Sequence, residues 1–226
     1  MCGTCACGSP EPPRRVQLEQ HLLAHNDALA ATNRERFDRS GVRALNLLSS
    51  PGSGKTALLE RLAAEQPRAG AMAVLVGDLA TDLDARRLRA AGLPAVALTT
   101  GHTCHLEASM VARGLDALEA DGTALADLRW LMIENVGNLV CPAAYRLGEH
   151  QRWVLLSVTE GEDKPLKYPA MFRSADRVVI TKLDLAAAVG FDPAAARRAI
   201  TAVAPQAQVL AVSARSGEGI DALLNR

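Results

Sequence analysis

The sequence predicts an α/β fold, a mostly parallel sheet of about seven strands with helices on both faces. Three observations predict it. Seven short apolar runs recur along the chain, at 42–48, 72–77, 94–98, 129–134, 152–158, 176–181 and 207–212. Helix-forming stretches follow most of them, at about 55–66, 82–91, 105–120, 193–203 and 218–225. Strand–helix alternation with strands apolar on both faces belongs to parallel sheets covered on each side. The third observation is the segment Ser49-Ser50-Pro51-Gly52-Ser53-Gly54-Lys55-Thr56, set where the first run gives way to a helical stretch.

That segment reads as a nucleotide phosphate cradle and makes the domain a P-loop NTPase. Gly52 and Gly54 let backbone N–H groups turn toward phosphate oxygens. Lys55 is placed to meet the β- and γ-phosphates, Thr56 to hold Mg²⁺, and the following helix offers its positive end. Ser53 and Ala57 complete the expected phosphate contacts. The general pattern begins with Gly, and Ser49 stands there in this chain.

The chain has 226 residues, which suits one domain with an appendage. Hydrophobic residues make up 49% but aromatics only 3%, so the core must be packed from Leu, Val and Ala. The formal net charge is zero, and no basic stripe marks a nucleic-acid partner. No apolar run is long enough to span a bilayer, and the N-terminus lacks a signal-peptide layout. The expectation is a cytoplasmic protein with neither membrane nor nucleic acid as partner.

Residues 1–15 read as a flexible metal-binding tail. Cys2, Cys5 and Cys7 fall within the first eight residues, and the Pro-rich stretch 9–15 then acts as a tether. Three thiolates can hold a thiophilic ion with the terminal amine as a fourth ligand; redox reactivity is the competing reading. Five cysteines, an odd number in a reducing compartment, argue against a disulfide framework. Residues 16–40 read as a helix, with Leu18, Leu22, Leu29 and Phe37 among its apolar positions and Gly41 just past its end. His21 and His25 sit four apart on it, either as metal ligands or as a solvated face. Residues 41–226 form the expected GTPase domain.

Open parallel sheets bind ligands at the carboxyl ends of their strands. The phosphate loop, Asp78, Glu134, Lys182 and Ser213 all fall at such ends, which points to one composite site. Asp78 is a candidate Mg²⁺ partner, with a helix cap as the alternative. Glu134 acts on Mg²⁺ or on the attacking water, or else is a buried paired acid, and the N–H of Gly137 is placed to sense a γ-phosphate. Asp82, Asp84, Arg86 and Arg87 need no function beyond helix electrostatics. In Thr181-Lys182-Leu183-Asp184, the Asp184 carboxylate can accept from both N1–H and the 2-amino group of guanine, so GTP and GDP are favoured over adenine nucleotides. Thr181 replaces the Asn usual in that motif, and Ser213-Ala214 matches the segment that touches the guanine oxygen.

Cys104, His105 and Cys141 offer sulfur and nitrogen donors suited to Zn²⁺ or Ni²⁺, and His102 lies just upstream. The alternative is two small buried cysteines and a satisfied histidine. Cys141 follows Gly137 by four residues, so it should move with the segment that senses the γ-phosphate.

These residues carry a resemblance over nearly the whole chain. Met1-Cys2-Gly3-Thr4-Cys5-Ala6-Cys7, Gly77-Asp78-Leu79-Ala80-Thr81-Asp82, Cys104-His105-Leu106-Glu107-Ala108, 134–142 and 159–169 resemble the hydrogenase nickel-incorporation GTPases. They separate the chain from the urease-related branch, whose metal motif differs. The resemblance implies a slow GTPase with Lys55, Thr56, Asp78 and Glu134 in catalysis. It also implies a GTP- or metal-promoted homodimer that works with a second metallochaperone to deliver nickel to the large subunit of a nickel–iron hydrogenase. Two metal sites are implied: a tight nickel site at Cys2, Cys5 and Cys7, and a weaker nickel or zinc site at Cys104, His105 and Cys141. With five histidines, nickel storage is not expected. The alternatives are a metal carrier with no significant GTPase cycle, a urease-type nickel accessory GTPase, and a small-molecule kinase.

Overall fold

Seven strands form one sheet in the order β3-β2-β4-β1-β5-β6-β7 in the computed structural model, which describes residues 14–65 and 71–224. They are β1 (Arg43–Ser49), β2 (Met72–Asp78), β3 (Ala95–Thr99), β4 (Trp130–Glu134), β5 (Gln151–Ser157), β6 (Arg177–Thr181) and β7 (Gln208–Ala211). Every neighbouring pair is parallel. All seven expected strands are present within a residue or two of their expected bounds.

Alternation along β1 explains how both faces are covered. Leu45 and Leu47 point to one side, where they pack with Leu58, Leu59 and Leu62 of α2 (Lys55–Ala64) and Leu88 of α3 (Leu83–Ala90). Ala44 points to the other side, toward Phe37 of α1 (Arg14–Ser40) and Val111 and Leu115 of α4 (Ala108–Ala120). Leu48 and Val154 on that side meet Met171 and Phe172. Each fully buried leucine of this kind contributes about 1.5–3 kcal/mol.

Helix α1 starts at Arg14 rather than 16. Its grip lies in its second half: Phe37 is fully buried, whereas Leu18 and Leu22 are exposed. Two buried asparagines clamp it to the start of α4. Asn26 accepts from the Ala108 N–H at 2.9 Å and donates to the Arg146 carbonyl at 2.7 Å. Asn33 donates to the carbonyls of Ala108 and Leu147 at 2.8 and 3.1 Å.

Helix α4 begins three residues later than expected, because Glu107 is extended and Cys104 to Glu107 form a loop. Two short helices, α5 (Lys164–Lys167) and α6 (Pro169–Arg173), were not expected. Pro165 and Pro169 occupy their first turns, where a missing N–H costs nothing. The chain closes with α7 (Pro193–Val203) and α8 (Ile220–Leu224). The expected site at Cys2, Cys5 and Cys7 lies outside the described residues.

Candidate nucleotide and metal site

Strand β1 sits at the centre of the sheet, with β4 on one side and β5 on the other. The connection after β1 runs toward β2 and that after its neighbour β5 runs the other way, toward β6, which opens a crevice at their carboxyl ends. The 49–56 loop occupies that crevice. Gly52 and Gly54 adopt φ of 73° and 95°, which an L side chain resists. Two cavities share Gly54 and Ala57. One, of about 470 Å³, is bounded by Gly52, Lys55, Thr56, Asp78, Glu134 and Gly137. The other, of about 210 Å³, is bounded by Ser53, Thr181, Lys182, Asp184, Val212 and Ala214. The loop therefore divides two compartments, those of the phosphates and of the base on the expected reading, lined by Lys55, Thr56, Asp78, Glu134 and Gly137 and by Lys182, Asp184 and Ala214 respectively.

In the phosphate compartment the buried Lys55 ammonium donates to Ser49 Oγ at 3.0 Å, and Ser49 donates onward to the Ser50 carbonyl at 2.7 Å. The serine at the departure from the general pattern thus supplies a hydrogen-bond partner for the lysine. Burial pushes the Lys55 ammonium below its ordinary pKa. Thr56 Oγ1 donates to Glu134 Oε1 at 2.8 Å. The second oxygen of Glu134 is buried with no hydrogen-bond partner among the described residues, and burial pushes its carboxyl up to about 7. Burial also acts to raise Asp78, but its hydrogen bonds from the Ala80 and Thr81 N–H groups prevail and hold it below the ordinary carboxylate value.

Three residues that sequence reasoning did not place also belong here. Asp84 and Arg87 line the phosphate compartment, and the Asp84 charge acts on both Lys55 and Glu134. Arg87 forms a bidentate pair with Glu60, at 3.0 and 2.8 Å, and reaches Asp84 at 3.2 Å. Glu160 accepts from the hydroxyls of Ser50 and Ser53 at 2.5 and 2.6 Å, and so braces the loop from the β5 side. Helix-start acids and basic residues are common on any surface helix; only the sheet order reveals that these face the loop. Glu160 did carry a signal, as part of the distinctive 159–169 string.

In the base compartment Thr181 Oγ1 donates to the Ser53 carbonyl at 2.7 Å. The residue replacing Asn therefore ties β6 to the phosphate loop. Lys182 has φ of 59°, the one positive value outside glycine among the described residues, and its ammonium donates to the Gly52 carbonyl at 2.7 Å. Ser213 Oγ donates to Asp184 Oδ1 at 2.6 Å, which holds the carboxylate in place.

The thiols of Cys104 and Cys141 and a ring nitrogen of His105 lie within 4.8 Å of one another. His105 is buried, and its ring lies against Tyr145 with centroids 3.8 Å apart. Burial holds its pKa below the ordinary value, which favours the neutral imidazole a metal requires. Its Nε2 is buried with no hydrogen-bond partner among the described residues, 3.9 Å from a Glu107 oxygen. The neighbouring Cys104 raises the pKa of the Cys141 thiol. Two sulfurs and one neutral nitrogen fit a borderline-soft divalent ion. His102, His21 and His25 are exposed and stand outside this trio.

The two centres share one segment. Gly137 packs so closely on the phosphate loop that a Cβ there would lie 2.8 Å from Pro51 Cα. Asn138 donates to the Cys104 carbonyl at 3.3 Å, and Cys141 follows three residues on. No helix among the described residues is long and apolar enough to cross a membrane.

The sequence model of the CobW/HypB/UreG nucleotide-binding domain matches residues 44–211. The hydrogenase maturation factor HypB of Azotobacter chroococcum mcd 1 is 51% identical over 207 residues, covering 92% of this chain and 66% of its own length. The chain therefore spans about two thirds of that relative. Among solved structures, HypB from Helicobacter pylori in complex with nickel superposes with a TM-score of 0.85 at 43% identity, over 89% of this chain and 92% of that one. The hydrogenase maturation factor HypB from Archaeoglobus fulgidus gives 0.80 at 38% identity, over 89% and 96%.

Proposed function

The chain belongs to the CobW/HypB/UreG family, among the HypB-type hydrogenase maturation factors, and from that premise we propose that it is a GTP-hydrolysing metallochaperone for nickel. The observation that carries the reading is the course of residues 134–141. This segment begins at the carboxylate bonded to Thr56, packs on Pro51 through Gly137, and ends at the cluster thiol of Cys141. A γ-phosphate bound beside Gly137 shifts a segment whose far end ligates metal.

In the proposed cycle GTP enters with its base against Asp184 and Ala214 and its phosphates along the 52–57 backbone. Lys55 leaves Ser49 for the β- and γ-phosphate oxygens. Thr56 and Asp78 hold Mg²⁺, with Asp84 beside them; when bound, the ion neutralises charge on the phosphates. Glu134, released by Thr56, orients the attacking water and accepts its proton. Nickel is the cargo, carried at Cys104, His105 and Cys141 and at Cys2, Cys5 and Cys7, with zinc as the alternative occupant of the first set. The proposed partners are a second copy of the chain, a second nickel metallochaperone and the large subunit of a nickel–iron hydrogenase, in the cytoplasm.

Equilibrium dialysis with Ni²⁺ tests this, comparing the intact chain with one lacking residues 1–8, each loaded with GDP or a non-hydrolysable GTP analogue. The expected result is loss of one tight site on truncation, leaving a weaker site whose affinity depends on the nucleotide. Identical nickel affinities in the two nucleotide states would remove the basis of the proposal.

A further inference from the structure

Resting on the nucleotide–metal coupling just proposed, we infer that the Asn135 side chain is the positioning residue that transmits it. Asn135 sits between Glu134 and Gly137 and is only 1% exposed. Its Oδ1 accepts two backbone N–H groups, that of Val136 at 3.0 Å and that of Leu106 at 3.1 Å. The first belongs to the segment that packs on the phosphate loop. The second belongs to the loop carrying Cys104 and His105. One buried oxygen therefore fastens the two centres together.

The amide end of Asn135 reaches the other arm of the metal cluster. Asn135 Nδ2 donates to Asn46 Oδ1 at 3.3 Å, within the core of β1, and Asn46 Nδ2 donates to Glu149 Oε1 at 3.3 Å. Glu149 is paired with the buried Arg152 at 2.5 Å. The Arg152 guanidinium donates to the carbonyls of Ala143 and Tyr145, which fixes the turn after Cys141 and the ring that lies on His105. A displacement of residues 134–137 by a γ-phosphate thus pulls on both halves of the trio. In a buried network with this many fixed partners, a shift at one member is not absorbed by solvent. The competing route runs through the half-buried Asn138, which donates to the Cys104 carbonyl at 3.3 Å, accepts from the Val140 N–H at 2.8 Å and hydrogen-bonds the Cys141 thiol, but makes no hydrogen bond with the phosphate loop among the described residues.

The test measures Ni²⁺ affinity by titration in full-length chains carrying Cys2→Ser, Cys5→Ser and Cys7→Ser, so that only the trio binds. Each chain is loaded with GDP or with a non-hydrolysable GTP analogue. A ratio of about tenfold between the two states is the scale expected of such coupling in the parent. Asn135→Ala should bring the ratio to within about twofold of unity, while nickel stoichiometry and the circular dichroism spectrum stay those of the parent. If Asn135→Ala does not fold, Asn135→Ser takes its place, since it keeps a polar group there but is too short to hold the Val136 and Leu106 N–H groups and Asn46 together. Retention of the parent ratio in the folded variant overturns the inference. So does collapse in Asn138→Ala with Asn135→Ala unaffected. A parent ratio of one instead defeats the coupling on which the inference rests, so the two failures are distinguishable.

Discussion

Thr56 Oγ1 and Glu134 Oε1 lie 2.8 Å apart, so in the nucleotide-free chain the hydroxyl expected to grip magnesium is held by a buried carboxyl. Burial raises that carboxyl from 4.5 to about 7. The folded state then binds a proton more tightly than the unfolded chain does. The resulting stabilisation is complete below about pH 4.5 and is lost as the pH rises to about 7. Over that window Glu134 ionisation removes on the order of 3 kcal/mol from the free chain. Glu134→Gln keeps an acceptor for Thr56 and removes the titration. Melting of the nucleotide- and magnesium-free protein should therefore be similar for the two chains near pH 5. The variant should be several degrees more stable at pH 8. A constant difference across this range would show that Glu134 does not titrate there.

Lys55 makes the complementary case. Its ammonium is buried, has Ser49 as its hydrogen-bond partner, and is pushed below its ordinary pKa by burial. Such a charge is retained for its ligand rather than for stability. Lys55→Met should weaken GDP binding on the order of 100-fold, the worth of two charge-assisted hydrogen bonds. The melting temperature of the free chain should hold or rise. Isothermal titration with GDP and a thermal melt check the two halves, and a large drop in melting temperature would make Lys55 a structural charge.

On the proposed reading base choice rests on Asp184, whose Oδ1 accepts from Ser213 Oγ at 2.6 Å. Asp184→Asn replaces one acceptor by a donor, which opposes the 2-amino group of guanine and suits the 2-oxo group of xanthine. GDP affinity should fall by about 100-fold or more, and xanthosine diphosphate should become the preferred ligand. A competition titration decides it. Unchanged preference would mean that the base does not sit against Asp184.

The strands were legible because apolar runs bounded by loops identify buried parallel strands, and the lysine–threonine loop was legible because its chemistry is local. What stayed hidden depends on sheet order. Asp84 and Arg87 read as an ordinary surface helix start until β2 is placed beside β4, next to the phosphate loop. Asn26 and Asn33 look like polar residues of a solvated helix, yet both are buried and clamp the start of α4. Thr181 departs from the expected Asn, and its bond to the Ser53 carbonyl spans 128 residues of chain. The metal trio was legible as donor types, but its closeness comes from the folding of 104–107 as a loop rather than as the first turn of a helix.

If the trio takes nickel as proposed, the ion must compete with protons on sulfur. The Cys141 thiol is raised by its neighbour Cys104, so it enters the site protonated at neutral pH and leaves its proton when metal binds. Burial favours neutral His105, which removes most competition from the imidazole. Nickel affinity of the trio should thus climb about tenfold per pH unit through neutrality from Cys141 alone. Cys141→Ser should flatten that slope as well as weaken binding. The measurement is nickel titration at several pH values in chains with serine at positions 2, 5 and 7. A slope unchanged by the substitution would exclude Cys141 as a ligand.

Gly137 isolates the mechanical part of the proposed switch. Its φ is not in the left-handed region, so alanine carries no backbone strain there. The added Cβ would instead lie 2.8 and 2.9 Å from the Cα and N of Pro51, which are backbone atoms of the phosphate loop. Either the loop or residues 134–141 must shift to admit it, a cost of about 1–3 kcal/mol. Gly92→Ala is the control: its φ is 87° and nothing lies within 4 Å of an added Cβ, so it tests backbone strain alone. Both variants should melt a few degrees below the parent. Only Gly137→Ala should lose GDP affinity, by about tenfold, because only there does the strain fall on the phosphate-binding backbone. Equal GDP binding by the two variants would mean that the packing of Gly137 on Pro51 does not reach the nucleotide. The segment from Glu134 to Cys141 would then have no mechanical hold on the phosphates.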